Sequence, residues 1–147
     1  GSGPSEIRRH LLEGDLVEAI VALPTDMFFN TGIATYIWLL TNRKPAHRRG
    51  KVQLIDASEQ FEKMRRSLGS KRKQMGAAHI ERVTKLFGQF VEARIATVTD
   101  AEGKTTEHLL IGDAPAPKAP DKGRVRVVPV SRIFSNEDFG YRTITVE

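Results

Sequence analysis

An α/β fold is what this sequence predicts, and three observations carry the prediction. A short amphipathic segment, "EIRRHLLEGD" (6–15), passes directly into the nearly continuous apolar run "LVEAIVALP" (16–24). Two further apolar runs, "IATYIWLLT" (33–41) and "KVQLIDAS" (51–58), follow between clusters of Gly, Pro and Asn. Later, "AAHIERVTKLFGQFVEA" (77–93) repeats its apolar residues Ile80, Val83, Phe87, Phe90 and Val91 at the helical period. A helix that passes directly into a buried strand is half of an α/β unit.

Each element has its own grounds. In residues 6–13 the apolar positions are 7, 11 and 12, and Gly14 predicts a helix stopped by a glycine cap. The run 17–23 lies between Gly14-Asp15 and Pro24, and its lack of alternation predicts a strand buried on both faces. Residues 33–41 predict a second, fully apolar strand, and "NRKPAHRRG" interrupts the pattern before the third strand at 51–57. In "SEQFEKMRRSL" (58–68), Ser58 suits a helix N-cap, and Phe61, Met64 and Leu68 fall on one helical stripe, so a helix is expected there. "GSKRKQMG" reads as a basic connector. "DAEG" (100–103) predicts a turn between two short strands. "GDAPAPKAPDKG" (112–123) holds no large apolar group and reads as a solvated linker that need not be ordered. The tail from Arg124 alternates well enough for one or two strands about a turn at Asn136-Glu137-Asp138.

Composition excludes several classes. The 147 residues are 39% hydrophobic and 28% charged, ordinary values for a soluble domain, and the run Ile33–Leu40 is far too short to span a bilayer. No membrane association is expected, nor does "GSGPS" read as a secretion signal; it is a cloning remnant or native loop. With no cysteine, disulfides and thiolate metal sites are excluded, and His10, His47, His79 and His108 lack ligand spacing. A cytoplasmic protein without a structural metal is expected.

Charge is unevenly placed. Residues 41–75 carry eleven Lys or Arg against Asp56, Glu59 and Glu62, a net +8 within a chain of net +5. Clustered cations are what a phosphate backbone needs, because each neutralised phosphate releases condensed counterions. Arg43, Arg48, Arg49, Lys71, Arg72 and Lys73 are therefore the candidate DNA contacts, and a solvated basic face is the competing reading. Asp56, at a strand end, is a candidate active-site carboxylate, with a turn aspartate ahead of Ser58 as the alternative.

Phe28 and Phe29, in "DMFFNTGIATYIWLLTN", lie between two apolar strands at a sheet rim where α/β folds bind ligands. An aromatic ring there can stack on a base rotated out of a duplex. The alternative is that one of the two plugs the core beneath the loop.

These stretches together, "SEIRRHLLEGDLVEAIVALPTDMFFNTGIATYIWLLTNRK", "RRGKVQLIDAS", "FEKMRRSLGSKR" and "DFGYRTITVE", resemble the modification subunit of type I restriction-modification systems, an adenine-N6 DNA methyltransferase. The likeness covers most of the chain and is weakest over roughly residues 93–130. It implies the carboxyl-terminal portion of a Rossmann-like, S-adenosylmethionine-dependent methyltransferase sheet: a sixth strand at "LVEAIVALP" and an antiparallel seventh at "IATYIWLLT", with a helical and β extension appended. It further implies that residues 1–57 end the catalytic domain, 58–92 form a basic helical extension, and 93–147 form a linker and β-rich extension. In this likeness Phe28 is the aromatic that stacks on the target base, and Phe29 packs. The family's glycine-containing cofactor motif and Asn-Pro-Pro-aromatic motif are not in these residues. The chain by itself is thus expected to bind no S-adenosylmethionine and to be inactive, whereas the full-length enzyme uses that cofactor. Expected partners are DNA and the specificity and restriction subunits. Two other classes compete: a non-catalytic nucleic-acid-binding module, and a subunit-docking module built on helices at 58–68 and 77–91.

Overall fold

The computed structural model describes residues 2–140, with side chains from Gly3 onward. Helix α1 (Ser2–Glu13) leads into β1 (Val17–Ala22), and the turn between them is left-handed at Asp15 (φ +57°) rather than at the expected Gly14. Strand β2 (Tyr36–Leu40), strand β3 (Lys51–Asp56) and a 3-10 turn between them (Ala46–Arg48) follow. Next come β4 (Glu62–Leu68), β5 (Lys71–Gln74) and helix α2 (Ala77–Gln89). Strands β6 (Ala93–Thr99), β7 (Thr105–Ile111) and β8 (Arg124–Ser135) complete the set, and Asn136–Gly140 is helical. A second tail strand would fall on residues 141–147, outside the described residues.

Six strands form one mixed sheet in the order β2-β1-β3-β8-β6-β7. Among the described residues only β1 and β3 pair in parallel, with Ala19 opposite Gln53 and Ala22 opposite Asp56. β2 runs antiparallel to β1, as the resemblance implies for a seventh strand beside a sixth. The apolar continuity of β1 is matched by burial on both faces. On one face Val21, Ile55, Ala93, Ile95 and Val130 enclose Leu86 of α2; on the other, Ile20 and Val52 pack with Leu12 of α1 and Phe139. Successive residues along a strand point to opposite faces, which is why neighbours such as Ile20 and Val21 serve different layers.

One expectation is corrected. Residues 58–68 are not helical: β4 and β5 form a two-stranded ribbon separate from the large sheet. β8 pairs with β3 as well as β6, so the strands after residue 93 continue the main sheet outward from β3. The proline-rich stretch 112–123 is anchored at its start, where Arg94 donates to the carbonyls of Gly112 and Ala114, and closes in a turn in which the Gly123 amide donates to Pro120 at 2.8 Å.

A polar knot fastens the opposite end of the sheet. Buried Lys44 meets Asp15 at 2.6 Å and also donates to the Lys51 carbonyl. Asp15 further accepts from the Gly50 amide and from Asn136 Nδ2 at 2.8 Å. One carboxylate therefore joins the α1–β1 turn, the β2–β3 connection and the end of β8. Burial alone would raise the Asp15 pKa, but the bonds from Lys44, Asn136 and Gly50 and the charge of Lys44 outweigh it and hold the carboxyl below its ordinary value.

Candidate nucleic-acid interface

The loop 23–35 leaves the carboxyl end of β1, beside the carboxyl end of its parallel neighbour β3. Open α/β sheets bind ligands on this side. Within the loop Phe28 bridges to Thr31, and the Asp26 amide donates to Gly32 at 3.3 Å. Phe28 is 40% exposed and Phe29 70%. The expectation that Phe29 packs inward is therefore not met: of the two, Phe29 stands further out.

The ribbon holds this loop in place. The Ser70 amide donates to the Phe29 carbonyl at 3.0 Å, and the amides of Arg72 and Lys73 both donate to the Asp26 carbonyl, at 2.8 and 3.0 Å. Lys71 Nζ donates to the Met27 carbonyl at 2.8 Å, and Lys73 Nζ to Thr25 Oγ1 at 3.2 Å. Lys73 also lies 4.2 Å from the centre of the Phe61 ring, a cation–π contact. Lys71 and Lys73, expected to face phosphates, spend their ammonium groups on the aromatic loop.

The ribbon carries further cations, of which Lys63, Arg65 and Arg66 lie outside the candidate set. The thirteen residues 62–74 hold six Lys or Arg against Glu62, a net +5 equal to that of the whole chain. The pairs Lys63–Lys73 and Leu68–Lys71 bracket residues 64–67 on β4 but only Arg72 on β5, so β4 bulges there. Bulges re-aim side chains. Lys63, Arg65, Arg66 and Arg72 are exposed.

The basic segment does not form one surface. β1 separates its two halves, roughly 20 Å at about 3.3 Å per residue. Phe28, Phe29, Lys71, Arg72 and Lys73 gather at its carboxyl end, and Arg43, Arg48 and Arg49 lie in the β2–β3 connection at its amino end. Arg43 and Arg49 are exposed there, but Arg48 is only 4% exposed. Its guanidinium lies 4.5 Å from the centres of both the Phe87 and Phe90 rings, donates to the Phe87 carbonyl and sits 3.6 Å from Glu18. Burial lowers its pKa, and Glu18 opposes that shift. Arg48 closes the carboxyl end of α2, where a cation is favoured, and is not offered to a phosphate.

Asp56 takes the turn role. Its carboxylate accepts from the Ser58 amide at 3.0 Å and the Ser58 hydroxyl at 2.6 Å. A groove of about 270 Å³ beside it is lined by Glu59, Thr97, Glu107 and Arg126, whose charges pair locally as Arg126–Glu59 and Arg82–Glu107. Among the described residues no group of three potential ligands is placed to hold a metal, and no helix is long and apolar enough to cross a membrane.

An exposed aromatic loop braced by a basic ribbon, on the ligand side of an α/β sheet, is an arrangement suited to DNA. The family model described as N-6 DNA Methylase matches residues 1–107. The chain belongs to the N-6 DNA methylase family. Its relatives include the type I restriction enzyme MjaVII methylase subunit of Methanocaldococcus jannaschii, 40% identical over 63 residues, or 43% of this chain and 11% of that one. The HindI methylase subunit of Haemophilus influenzae is 46% identical over 54 residues, covering 37% of this chain and 12% of its own length. Among solved structures, the type I restriction-modification methyltransferase subunit from Streptococcus thermophilus superposes with a TM-score of 0.50 at 33% identity, over 60% of this chain and 17% of that one. This N-6 DNA methylase chain thus spans less than a fifth of each of these relatives.

Proposed function

We propose that this chain is part of the modification subunit of a type I restriction-modification system, an adenine-N6 DNA methyltransferase, and that it supplies one wall of the target-base pocket and a DNA-holding ribbon. The observation that carries the reading is the union of two exposed phenylalanines with a net +5 ribbon through five hydrogen bonds. Phe28 or Phe29 stacks on the extruded adenine, whose π-face is free once it leaves the helix. Arg65, Arg66 and Arg72 hold the flanking phosphates.

S-adenosylmethionine is the methyl donor of such an enzyme. The residues here do not fit a site for it: Gly50, Gly69, Gly103 and Gly112 each stand in separate left-handed turns, forming no glycine-rich cradle between a strand and a helix. We assign the donor's site to the remainder of the subunit, and this chain alone is inactive. β2 is bonded only to β1 among the described residues and exposes Tyr36, Ile37 and Leu40. Such an edge suits the strand that would precede it in the complete sheet. Specificity and restriction subunits are the proposed partners, and the cytoplasm the proposed compartment.

The test of the DNA-holding part is the salt dependence of duplex binding. Affinity should fall with salt at a log-log slope of about −0.9 per phosphate neutralised. Replacing Arg65, Arg66 and Arg72 together by Ala should flatten that slope, and an unchanged slope would refute the assignment.

A further inference from the structure

We propose that the β4–β5 ribbon couples phosphate contact to the placement of the aromatic loop, with Gly69 and Lys71 as positioning residues for Phe28 and Phe29. The inference rests on the reading that the ribbon meets DNA.

The loop has little of its own to fix it. Its ends are joined by the Leu23 amide donating to the Thr35 carbonyl at 3.0 Å, and between them it has the Phe28–Thr31 bridge, the Asp26–Gly32 bond, a 3.4 Å bond from Thr25 Oγ1 to Asp26 and a 3.3 Å bond from the Ile33 amide to Thr31 Oγ1; neither aromatic ring is buried in the core. Residues 70–73 supply the five bonds described above, to Thr25, Asp26, Met27 and Phe29. The position of the loop is therefore the position of the ribbon.

The ribbon in turn is built to respond to an anion. Lys63 sits directly across from Lys73, a like-charge pair that weakens a ladder. The bulge at 64–67 interrupts that ladder between the two pairs. A polyanion that neutralises the exposed Lys63 relieves this repulsion and tightens the ribbon, and the bonds to the loop carry the change to the phenylalanines.

Gly69 is the point of closest approach. Its φ is +59°, and a methyl group placed on it would lie 2.7 Å from the Phe29 carbonyl oxygen and 3.2 Å from the Phe29 ring. The three nearest atoms it would meet all belong to Phe29. Gly69→Ala therefore disturbs the seam between ribbon and loop without removing a charge. Lys71 makes one of the five bonds across the seam, its ammonium group donating to the Met27 carbonyl.

The coupling is read by fluorine NMR of the chain labelled with fluorophenylalanine, titrated with a duplex of about 20 base pairs, long enough to cover the ribbon's phosphate contacts. The expected result is that duplex moves the Phe28 and Phe29 signals in the native sequence. Gly69→Ala should abolish that movement while affinity stays within about twofold and the salt slope is unchanged, because no cation is lost. If Gly69→Ala unfolds, as circular dichroism would reveal, Lys71→Met takes its place and should shift the Phe29 signal before any DNA is added. Binding without movement of either signal, full movement in Gly69→Ala, or an unshifted Phe29 in Lys71→Met would overturn the coupling and leave the DNA reading standing. Failure of the native chain to bind duplex, or equal binding after Arg65, Arg66 and Arg72 become Ala, would overturn the DNA reading and the coupling with it.

Discussion

The guanidinium of Arg48 lies 4.5 Å from the centre of the Phe87 ring, with Phe90 at the same distance. Phe90 is the left-handed residue that ends α2 (φ +50°), an uncommon conformation for a bulky side chain that persists only where its surroundings enforce it. Arg48 supplies that enforcement. Arg48→Ala should lower stability by about 2–4 kcal/mol, through loss of a desolvated cation–π contact and a buried charge pair. Arg48→Lys should recover little, since a planar guanidinium stacks where an ammonium does not. Thermal unfolding measures the first effect, and the salt slope of DNA binding should not change in either variant.

Asp15 makes the fold sensitive to acid. Its folded pKa lies below its ordinary value of 3.8, so its contribution is complete above that value and is lost as pH falls through the folded pKa. Asp15→Asn keeps a residue type that tolerates left-handed backbone but removes the charge facing Lys44. It should cost about 2 kcal/mol at neutral pH, the worth of hydrogen bonds to a charged group. As pH falls below 3.8 and through the folded pKa, the difference from the native sequence should shrink. Unfolding midpoints measured across this range in both proteins decide the matter.

Phe28→Ala and Phe29→Ala should each change stability by no more than about 0.5 kcal/mol, as exposed positions do. Leu86→Ala, at a fully buried position, should cost about 2–5 kcal/mol. Denaturant midpoints of the three variants would establish whether the phenylalanines are present for contact or for packing.

What was legible in the sequence follows from which interactions are local. β1, β3 and α2 could be read because burial imposes its period on neighbouring residues: Ile20 and Val21 face two layers, and Leu86 sits on the apolar stripe that also holds Val83 and Phe87. The ribbon was misread because Phe61, Met64 and Leu68 happen to fit a helical stripe and because β5, "KRKQ", has no apolar alternation. Its signal was the Gly69-Ser70 pair between Leu68 and Lys71, a two-residue hairpin turn whose first residue needs positive φ. Arg48 could not be read at all, because its partners are distant in sequence: Phe87, 39 residues away, and Phe90 at the end of α2, and Glu18 in β1. Charge in sequence likewise did not foretell charge in space, since β1 divides the basic segment between its two ends.

Contact between the aromatic loop and the target adenine is decided by methyl transfer in the complete modification enzyme proposed above. The enzyme would carry Phe28→Ala, Phe29→Ala or both, with N6-methyladenine formed from S-adenosylmethionine measured on its own recognition duplex alongside duplex affinity. Base–aromatic stacking is worth about 1–3 kcal/mol, so methylation should fall by about five- to a hundredfold in at least one single variant, with the fold intact. Normal methylation by the double variant, or methylation of a base other than adenine, would contradict it.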